Sequence, residues 1–123
     1  MDMKIELIPI PVTDVDRAKT FYVEKIGFHA DNDVQVNEQL RFVQLTPPGS
    51  ACSIMISTGV TPMVPGSVDA YQMVVADVRT LREELLAKGV TMSDIDEQPW
   101  GIFSYFKDPD GNKWSLQELV PKK

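Results

Sequence analysis

The spacing of apolar residues along the first half of the chain predicts a strand followed by a helix. Residues 4–12 are rich in Ile, Leu and Val, which is typical of a strand. Asp14 is a favourable helix N-cap, and Gly27 supplies the left-handed residue that ends a helix. The apolar stripe of this helix consists of Val15, Ala18 and Tyr22. Because Pro9 and Pro11 lack a backbone donor, they suit a sheet edge or a bulge better than a central, fully paired strand.

The second half of the chain repeats this pattern. Residues 70–75 are predicted as a strand, Asp77 as the N-cap and Gly89 as the helix end. The apolar stripe of the second helix consists of Val78, Leu81 and Leu85. The two capping aspartates lie 63 positions apart and the two terminating glycines 62 apart. Equal spacing of matched landmarks indicates a duplicated unit of about half the chain.

Three further strands are predicted after each helix. In the first half they cover residues 28–33, 40–45 and 51–57. In the second half they cover residues 92–96, 103–107 and 113–119. Turns rich in Pro and Gly join the last two strands of each half. Each half is therefore a βαβββ module, and the fold class is α+β, with two tandem modules whose curled mixed sheets surround a cleft.

The 123 residues are predicted to form a single domain. Module one covers residues 3–57 and module two covers residues 70–120. The linker, residues 58–69, contains the structure-breaking residues Gly59, Pro62, Pro65 and Gly66.

Composition narrows the classes of function. Eighteen acidic and twelve basic residues leave a net charge of −6, which disfavours binding to nucleic acid. The apolar runs are too short to span a bilayer, and the first residues lack the pattern of a secretory signal, so no membrane association is expected. A single cysteine, Cys52, favours the reducing cytoplasm. With one histidine, His29, a site of several imidazole ligands cannot form within one chain.

Three segments together resemble the vicinal oxygen chelate superfamily, which includes glyoxalase I, extradiol dioxygenases and bleomycin-resistance proteins. The segments are Pro11-Val-Thr-Asp-Val-Asp-Arg-Ala-Lys-Thr-Phe-Tyr, Lys25-Ile-Gly-Phe and Phe106-Lys-Asp-Pro-Asp-Gly-Asn-Lys-Trp. The resemblance extends from Lys4 to Leu119. It implies paired βαβββ modules, a ligand site in the cleft and a homodimer.

The resemblance also implies where metal-binding members carry their ligands. The matching positions here are Leu7, Ser53, Ala70 and Ser115. None is His, Asp or Glu, so we expect a protein without a metal cofactor. A register slip of one or two residues would bring in Glu6, Gln117 or Glu118, an oxygen set suited at best to weak binding of a hard cation. The alternative is therefore a divalent metal in a lyase, isomerase or dioxygenase of the same superfamily.

Aromatic residues near the end of the chain suggest a binding surface. Phe103 and Tyr105 share one face of a predicted strand, either the helix side or the cleft side, and Trp100 lies in a loop predicted over the cleft mouth. Further candidates to contact the ligand are Gln44, Ser53, Met55, Ser115 and Gln117. His29 is expected to be a surface or rim residue near a strand start, and Cys52 a buried, inert one.

These observations lead to one hypothesis and its alternatives. The chain is expected to bind a small organic molecule, cationic or aromatic, in an aromatic-lined cleft. It would sequester this molecule without making or breaking a bond and without a metal. Asp94, Asp96 and Glu97 would attract a cationic ligand. No catalytic residue is identified, although a metal-free enzyme using Tyr105 or Glu118 as acid or base, or a partner domain for another protein, stays open.

Overall fold

The structure, a computed structural model, describes residues 1–58 and 60–120. The chain divides into two units. The first contains residues 1–68 and the short segment 108–112, and the second contains residues 69–107 and the chain from Lys113 onward. Gly59 of the predicted linker lies outside the described residues.

The first unit is a mixed four-stranded sheet with one helix. Its elements are β1 (Leu7–Pro11), α1 (Val15–Thr20, continued as a wider π-helical segment over Phe21–Ile26), β2 (His29–Asn37), β3 (Leu40–Thr46) and β4 (Ser53–Thr58). The strands lie in the order β1-β4-β3-β2, with β1 parallel to β4 and the other neighbours antiparallel. Of the two positions expected for the proline-containing strand, an edge or a bulge, the structure shows the edge, because β1 is the first strand of this sheet.

The second unit has the same architecture. Its elements are β5 (Tyr71–Val74), α2 (Val78–Ala87), β6 (Asp96–Gln98), β7 (Gly101–Lys107) and β8 (Lys113–Glu118). The strands lie in the order β5-β8-β7-β6, with β5 parallel to β8. Two mixed four-stranded sheets, each with its helix, confirm the predicted α+β class and the paired βαβββ order.

Both predicted helix caps are confirmed. The side chain of Asp14 accepts the backbone N–H of Arg17 at 3.0 Å, and that of Asp77 accepts the N–H of Thr80 at 3.0 Å. After the first helix, Gly27 adopts a φ of 93°, a conformation that glycine reaches without a steric penalty. Sequence-local capping chemistry therefore sets where each helix begins.

The predicted strand over residues 92–96 is wrong in position. The strand found there, β6, covers only Asp96–Gln98. Earlier in the segment, the carbonyl of Ser93 accepts hydrogen bonds from the side chains of Arg82 and Ser104. Within the described residues, only one backbone bond, from the Ser93 N–H to the Tyr105 carbonyl at 3.0 Å, joins this part of the segment to β7, and side-chain bonds supply the rest, which local β-propensity does not reveal.

The turn after β7 belongs to the first unit, although the sequence pattern places it in module two. The Tyr22 hydroxyl donates to Asp108 Oδ2 at 2.8 Å, and Asn112 Nδ2 donates to the Pro11 carbonyl at 2.9 Å. Asn112 Oδ1 also accepts the backbone N–H of Val68 at 3.1 Å. All these groups are buried with their polar atoms paired, which makes the turn part of the first unit's core.

None of the helices in the described residues has the length and apolar character needed to cross a lipid bilayer.

Candidate functional site

Each sheet has one face covered by its own helix and an opposite face that carries the predicted ligand residues. In β4, Ile54 and Ile56 are buried, and they align with the β3 positions on the helix side. Arg41 of β3 lies on that side too, since its guanidinium bonds Asp16 of α1 at 2.8 Å. Successive side chains of a strand alternate, so the residues between the isoleucines point the other way. We call this opposite surface the first open face; its residues are Leu7, Pro9, Phe42, Gln44, Thr46, Ser53, Met55 and Ser57.

Polar side chains on the first open face bond mainly to one another. Gln44 Nε2 donates to Ser53 Oγ at 3.1 Å, and the hydroxyls of Thr46 and Ser53 lie 2.7 Å apart. Asn32 Nδ2 in turn donates to Gln44 Oε1 at 3.3 Å. The structure thus brings the predicted ligand residues Gln44 and Ser53 together, beside Met55, which pairs with Gln44 across the strands. The Ser53 hydroxyl is occupied by these internal bonds.

The corresponding surface of the second unit is the second open face. On β8, Glu118 lies on the helix side, because its Oε1 accepts the backbone N–H of Val78 at the start of α2, at 2.9 Å. Ser115 and Gln117 alternate with it and point the other way. The residues of the second open face are Gln72, Val74, Asp96, Gln98, Phe103, Tyr105, Ser115 and Gln117.

Phe103 and Tyr105 lie on the second open face as a parallel ring pair. Their ring centroids are 6.2 Å apart with an interplanar angle of 13°. Phe103 is buried, whereas Tyr105 is 39% exposed. The other strand aromatics, Phe106 and Trp114, stack on each other within the core. The sequence left open which side of the sheet Phe103 and Tyr105 occupy, and the structure places them on the side away from α2.

Trp100 stands in a two-residue turn and not in a loop. Gln98 pairs directly with Gly101, so Pro99 and Trp100 alone connect β6 to β7. The Trp100 side chain is 63% exposed, and its carbonyl accepts Gln117 Nε2 at 3.2 Å. This tight connection places Trp100 at the end of the sheet, with its carbonyl bonded to Gln117 of the second open face.

The side chain of Gln117 is held in place from two sides. Besides the carbonyl of Trp100, its Oε1 accepts a short hydrogen bond from Gln72 Nε2. A Cβ at Gly101 would lie only 2.8 Å from Gln117 Nε2, so a larger residue at this position would displace the amide. Ser115, in contrast, is half-buried.

Asp96 places one carboxylate beside the aromatic pair. The Tyr105 hydroxyl donates to Asp96 Oδ2 at 2.6 Å, and Gln98 Nε2 donates to Oδ1 at 2.8 Å. The hydrogen bond from Tyr105, followed by that from Gln98, lowers the pKa of Asp96 below its ordinary value. The same bond to Asp96, with burial, raises the pKa of Tyr105. The pair is therefore a neutral phenol donating to a carboxylate that stays charged at neutral pH.

The positions at which related proteins hold a metal are unsuited to one here. In the first unit Leu7 is level with Ser53, as the repeat predicts. In the second unit Ser115 is level with Gln72, and the predicted Ala70 lies outside the strand, so that part of the prediction is wrong by two residues. The parallel pairing of β5 with β8 decides which residue lies beside Ser115, and counting back from the helix cap at Asp77 does not. Leucine, serine and glutamine side chains still offer neither imidazole nor carboxylate.

Carboxylates elsewhere do not complete such a site. Glu118 caps α2, and Glu6 is exposed, with its carbonyl accepting the N–H of Ser53. Within residues 1–58 and 60–120, no three His, Cys, Asp or Glu side chains converge as metal ligands would. The donor set therefore does not fit a divalent metal.

His29 lies at the surface at the start of a strand, as expected, whereas Cys52 is less buried than expected. His29 begins β2 at the surface, and its Nε2 lies 3.7 Å from Asp31 Oδ1, a partner two residues along the chain. Cys52 is half-buried, whereas the sequence predicted a buried residue. It precedes β4, and its Sγ donates to the Ser53 carbonyl at 3.5 Å.

Gln72, Ser57 and Asp96 are among the residues of the open faces that sequence reasoning missed. Gln72 was missed because its position beside Ser115 depends on how β5 pairs with β8. Ser57 was missed because the alternation of side chains along a strand does not show whether a hydroxyl has a hydrogen-bond partner. Asp96 was noted only as part of an acidic run. The spacing of polar residues on β6 was a usable signal, because Asp96 and Gln98 are two residues apart and therefore share one face of the strand.

Residues 4–116 match the family described as Glyoxalase/Bleomycin resistance protein/Dioxygenase superfamily. Among solved structures, TnmS3, described as an antibiotic binding protein from Streptomyces sp. CB03234, is 32% identical, with a TM-score of 0.89, covering 97% of this chain and 98% of that one. A glyoxalase/bleomycin resistance protein from the same organism is 33% identical, with a TM-score of 0.82, covering 93% and 99%. YetH of Bacillus subtilis (strain 168), an uncharacterized protein, is 28% identical over 96% of this chain and 100% of its own length.

Proposed function

The chain belongs to the glyoxalase/bleomycin resistance protein/dioxygenase superfamily, and we propose that it binds and sequesters a small, flat aromatic molecule on the second open face. The observation that carries the proposal is the parallel pair of Phe103 and Tyr105, bordered by the exposed indole of Trp100. Flat rings gain both apolar burial and stacking energy from such a surface. The similarity to TnmS3, an antibiotic binding protein, supports the same class of function.

The preferred ligand carries a positive charge. Asp96 adds a carboxylate directly beside the Tyr105 ring, and its lowered pKa keeps it ionised at neutral pH. A cation above an aromatic ring is attracted by the ring's negative face as well as by the carboxylate. The net charge of −6 adds a weaker, long-range attraction.

The ligand is held without being changed, and without a metal. The Tyr105 hydroxyl is committed as a donor to Asp96, and the Gln117 amide is committed to Trp100 and Gln72. General acid–base catalysis needs a titratable group that is free to meet the reacting atom. The titratable groups here, Tyr105 and Asp96, are hydrogen-bonded to each other. Shape, stacking and a single charge are sufficient for sequestration by mass action.

Three probes with one ring system test the binding and its charge preference. Proflavine is cationic, acridone is neutral and acridine-9-carboxylate is anionic, so they differ mainly in charge. We expect proflavine to quench Trp100 fluorescence and to bind about fivefold more tightly than acridone, the effect of one partly solvated carboxylate. The anion should bind more weakly still. If none of the three perturbs Trp100 or the Tyr105 ring resonances, the proposed function is wrong.

Two asparagine variants separate the local carboxylate from the general acidity of the chain. Asp96→Asn keeps an acceptor for the Tyr105 hydroxyl but removes the charge. It should weaken proflavine about fivefold and leave acridone within twofold. The matched control is Asp94→Asn, because Asp94 is exposed and its carboxylate lies 3.7 Å from Arg82. That variant should leave both affinities within twofold, and equal losses would indicate only a long-range effect.

Sequestration without a metal has its own measurements. We expect proflavine to be recovered unchanged by mass spectrometry, and elemental analysis of the purified protein to give no stoichiometric metal. Mn²⁺ or Zn²⁺ should not raise the melting temperature. Stoichiometric metal together with activity lost on chelation would favour the divalent-metal lyase, isomerase or dioxygenase instead. Homodimerisation and a cytoplasmic location stay predictions, the first testable by sedimentation.

A further inference from the structure

The hairpin of β6 and β7, which carries Asp96 and Trp100, has little to stabilise it locally. β6 is an edge strand of three residues, joined to β7 by three residue pairs. The favoured two-residue hairpin turns need a positive φ at their first central residue, and neither Pro99 nor Trp100 has one. A short edge hairpin without a favourable turn opens easily. Its order in the folded chain therefore depends on contacts from outside the hairpin.

Gln117 supplies such a contact from the central strand β8. Its Nε2 donates to the Trp100 carbonyl at 3.2 Å, and its Oε1 accepts from Gln72 Nε2. The two bonds agree on the orientation of the amide, because only its nitrogen can donate to a carbonyl. Gln117 is 8% exposed, whereas Trp100 is 63% exposed. An exposed turn residue is thus bonded through its main chain to a buried side chain.

Gly101 leaves the room for this bond. A Cβ there would lie 2.8 Å from Gln117 Nε2 and 3.1 Å from its Cγ, so the glutamine side chain fills space that a larger residue would occupy. Gly101 pairs with Gln98, at the point where the turn meets β7. A glycine on β7 and a long amide on β8 together let β8 reach the turn of β6, a strand that it does not neighbour.

We infer that Gln117 is a positioning residue, which reaches past Gly101 to fix the turn formed by Pro99 and Trp100 before any ligand binds. A group that is already held in place loses less conformational freedom on binding, which increases affinity. The effect on affinity rests on the proposed function of the second open face, in which Trp100 borders the ring pair. The effect on the turn itself does not rest on that function, so the two can fail separately.

Nuclear magnetic resonance relaxation of the ligand-free chain measures the positioning directly. The Gly101 N–H shares a peptide plane with the Trp100 carbonyl, so its order parameter reports on the bonded group. We expect about 0.85 in the wild type and about 0.6 or less in Gln117→Met, which keeps the length of the side chain but cannot donate. The buried Trp114 should keep its wild-type value, which shows that the sheet is intact. An ordered Gly101 N–H in Gln117→Met, or a mobile one in the wild type, would overturn the inference.

Two further variants separate this bond from general packing around Gln117. Gln72→Met is the matched control, because it removes a glutamine that bonds Gln117 but leaves the donor to Trp100 in place. It should lower the Gly101 order parameter by less than about half as much as Gln117→Met. Gly101→Ala keeps Gln117 but displaces its amide, and it should mobilise the same peptide group. Equal effects of the two methionine variants would show that packing, and not the bond to Trp100, orders the turn.

Affinity gives a readout that a loss of structure alone would not change. Gln117→Met should weaken proflavine and acridone alike, by about threefold, because the turn carries no charge. In a Trp100→Ala background the carbonyl remains but the indole is gone, so the same change should cost less than about 1.5-fold in affinity and as much stability as before. An equal loss of affinity in both backgrounds would overturn the inference by showing that Gln117 acts on the ligand itself. If neither probe binds the wild type, the proposed function is wrong, and the order parameters still decide the role of Gln117.

Discussion

The two open faces occupy equivalent positions in the two units, yet they offer different chemistry. On the first, Ser53 is buried and its hydroxyl is bonded to Gln44 and Thr46. On the second, the equivalent Ser115 is half-buried, and the prominent groups are the ring pair and Asp96. The first face is therefore a neutral network with one isolated hydroxyl, that of Ser57, which has no partner among the described residues. The second combines exposed aromatic surface with a fixed charge.

The difference shows that duplication preserved the scaffold and not the surface. Each unit keeps the capping aspartate, the helix and the strand order, which depend on backbone geometry. Side chains on the open faces are not needed to bury the helix, so they are free to differ between the units. The hairpin turns diverge in the same way: the turn containing Ser50 is exposed, whereas the turn containing Asn112 is buried.

The largest effect is expected at those turns. Asn112→Ala should lower the free energy of unfolding by about 3 kcal/mol, because it leaves the buried groups of Val68, Pro11 and Asp108 without their partner. Ser50→Ala, at the equivalent turn position, should cost less than about 1 kcal/mol since its bonds are solvent-exposed. Urea denaturation measures both. Similar losses in the two variants would contradict the contrast between the turns.

The aromatic residues of the two faces should differ in their effect on proflavine binding. Tyr105→Ala should reduce the affinity about tenfold to thirtyfold, because it removes the exposed half of the ring pair beside Asp96. Phe42→Ala removes a ring from the uncharged first open face and should change it less than about threefold. Fluorescence titration monitors both variants. A larger loss of affinity in Phe42→Ala would show that proflavine binds the first open face and would contradict the proposal.

The two equivalent serines should differ in their contribution to stability. Ser53→Ala is expected to cost about 1–2 kcal/mol, because Gln44 and Thr46 each lose a part-buried hydrogen-bond partner. Ser115→Ala should cost less than about 0.5 kcal/mol, as is usual away from buried polar networks. Chemical denaturation of the two variants in parallel is sufficient. A Ser115 effect equal to that of Ser53 would mean that the second face is also an internally bonded network.

The smallest effect concerns the pH dependence of stability. Hydrogen bonds from Arg41 and then Lys19 hold the pKa of Asp33 well below its usual range. A lowered folded-state pKa adds stability above the unfolded value of about 3.9, and this is lost as the pH falls below it. Asp33→Asn should cost about 1 kcal/mol at pH 7 and flatten the acid limb of the stability curve.

Salt separates this carboxylate from the one on the second face. Asp33 bonds two cations, so raising the ionic strength should shrink the difference between Asp33→Asn and the wild type. Asp96 bonds the neutral donors Tyr105 and Gln98, so the smaller effect of Asp96→Asn on stability should not depend on salt. Thermal melts from pH 2 to 7 at two salt concentrations test both. An unchanged acid limb in Asp33→Asn would show that other groups control it.

The amino-acid sequence by itself determined the repeated units, both helix caps and the restriction of β1 to an edge or a bulge. Each depends on local rules: the 3.6-residue and two-residue periods, the hydrogen-bonding capacity of aspartate at a helix start, and the missing donor of proline. It also sufficed to show that aromatic residues gather toward one end of the chain.

Only the tertiary structure decided which face those residues occupy and what they meet. A two-residue period defines two sides of a strand but not the side that the helix covers, so Phe103 and Tyr105 stayed ambiguous. The level of Gln72 beside Ser115, the bond from Tyr105 to Asp96 and the missing partner of Ser57 all involve strands distant in sequence. Such pairings arise from ladder register and burial, which are properties of the folded chain and not of any short segment.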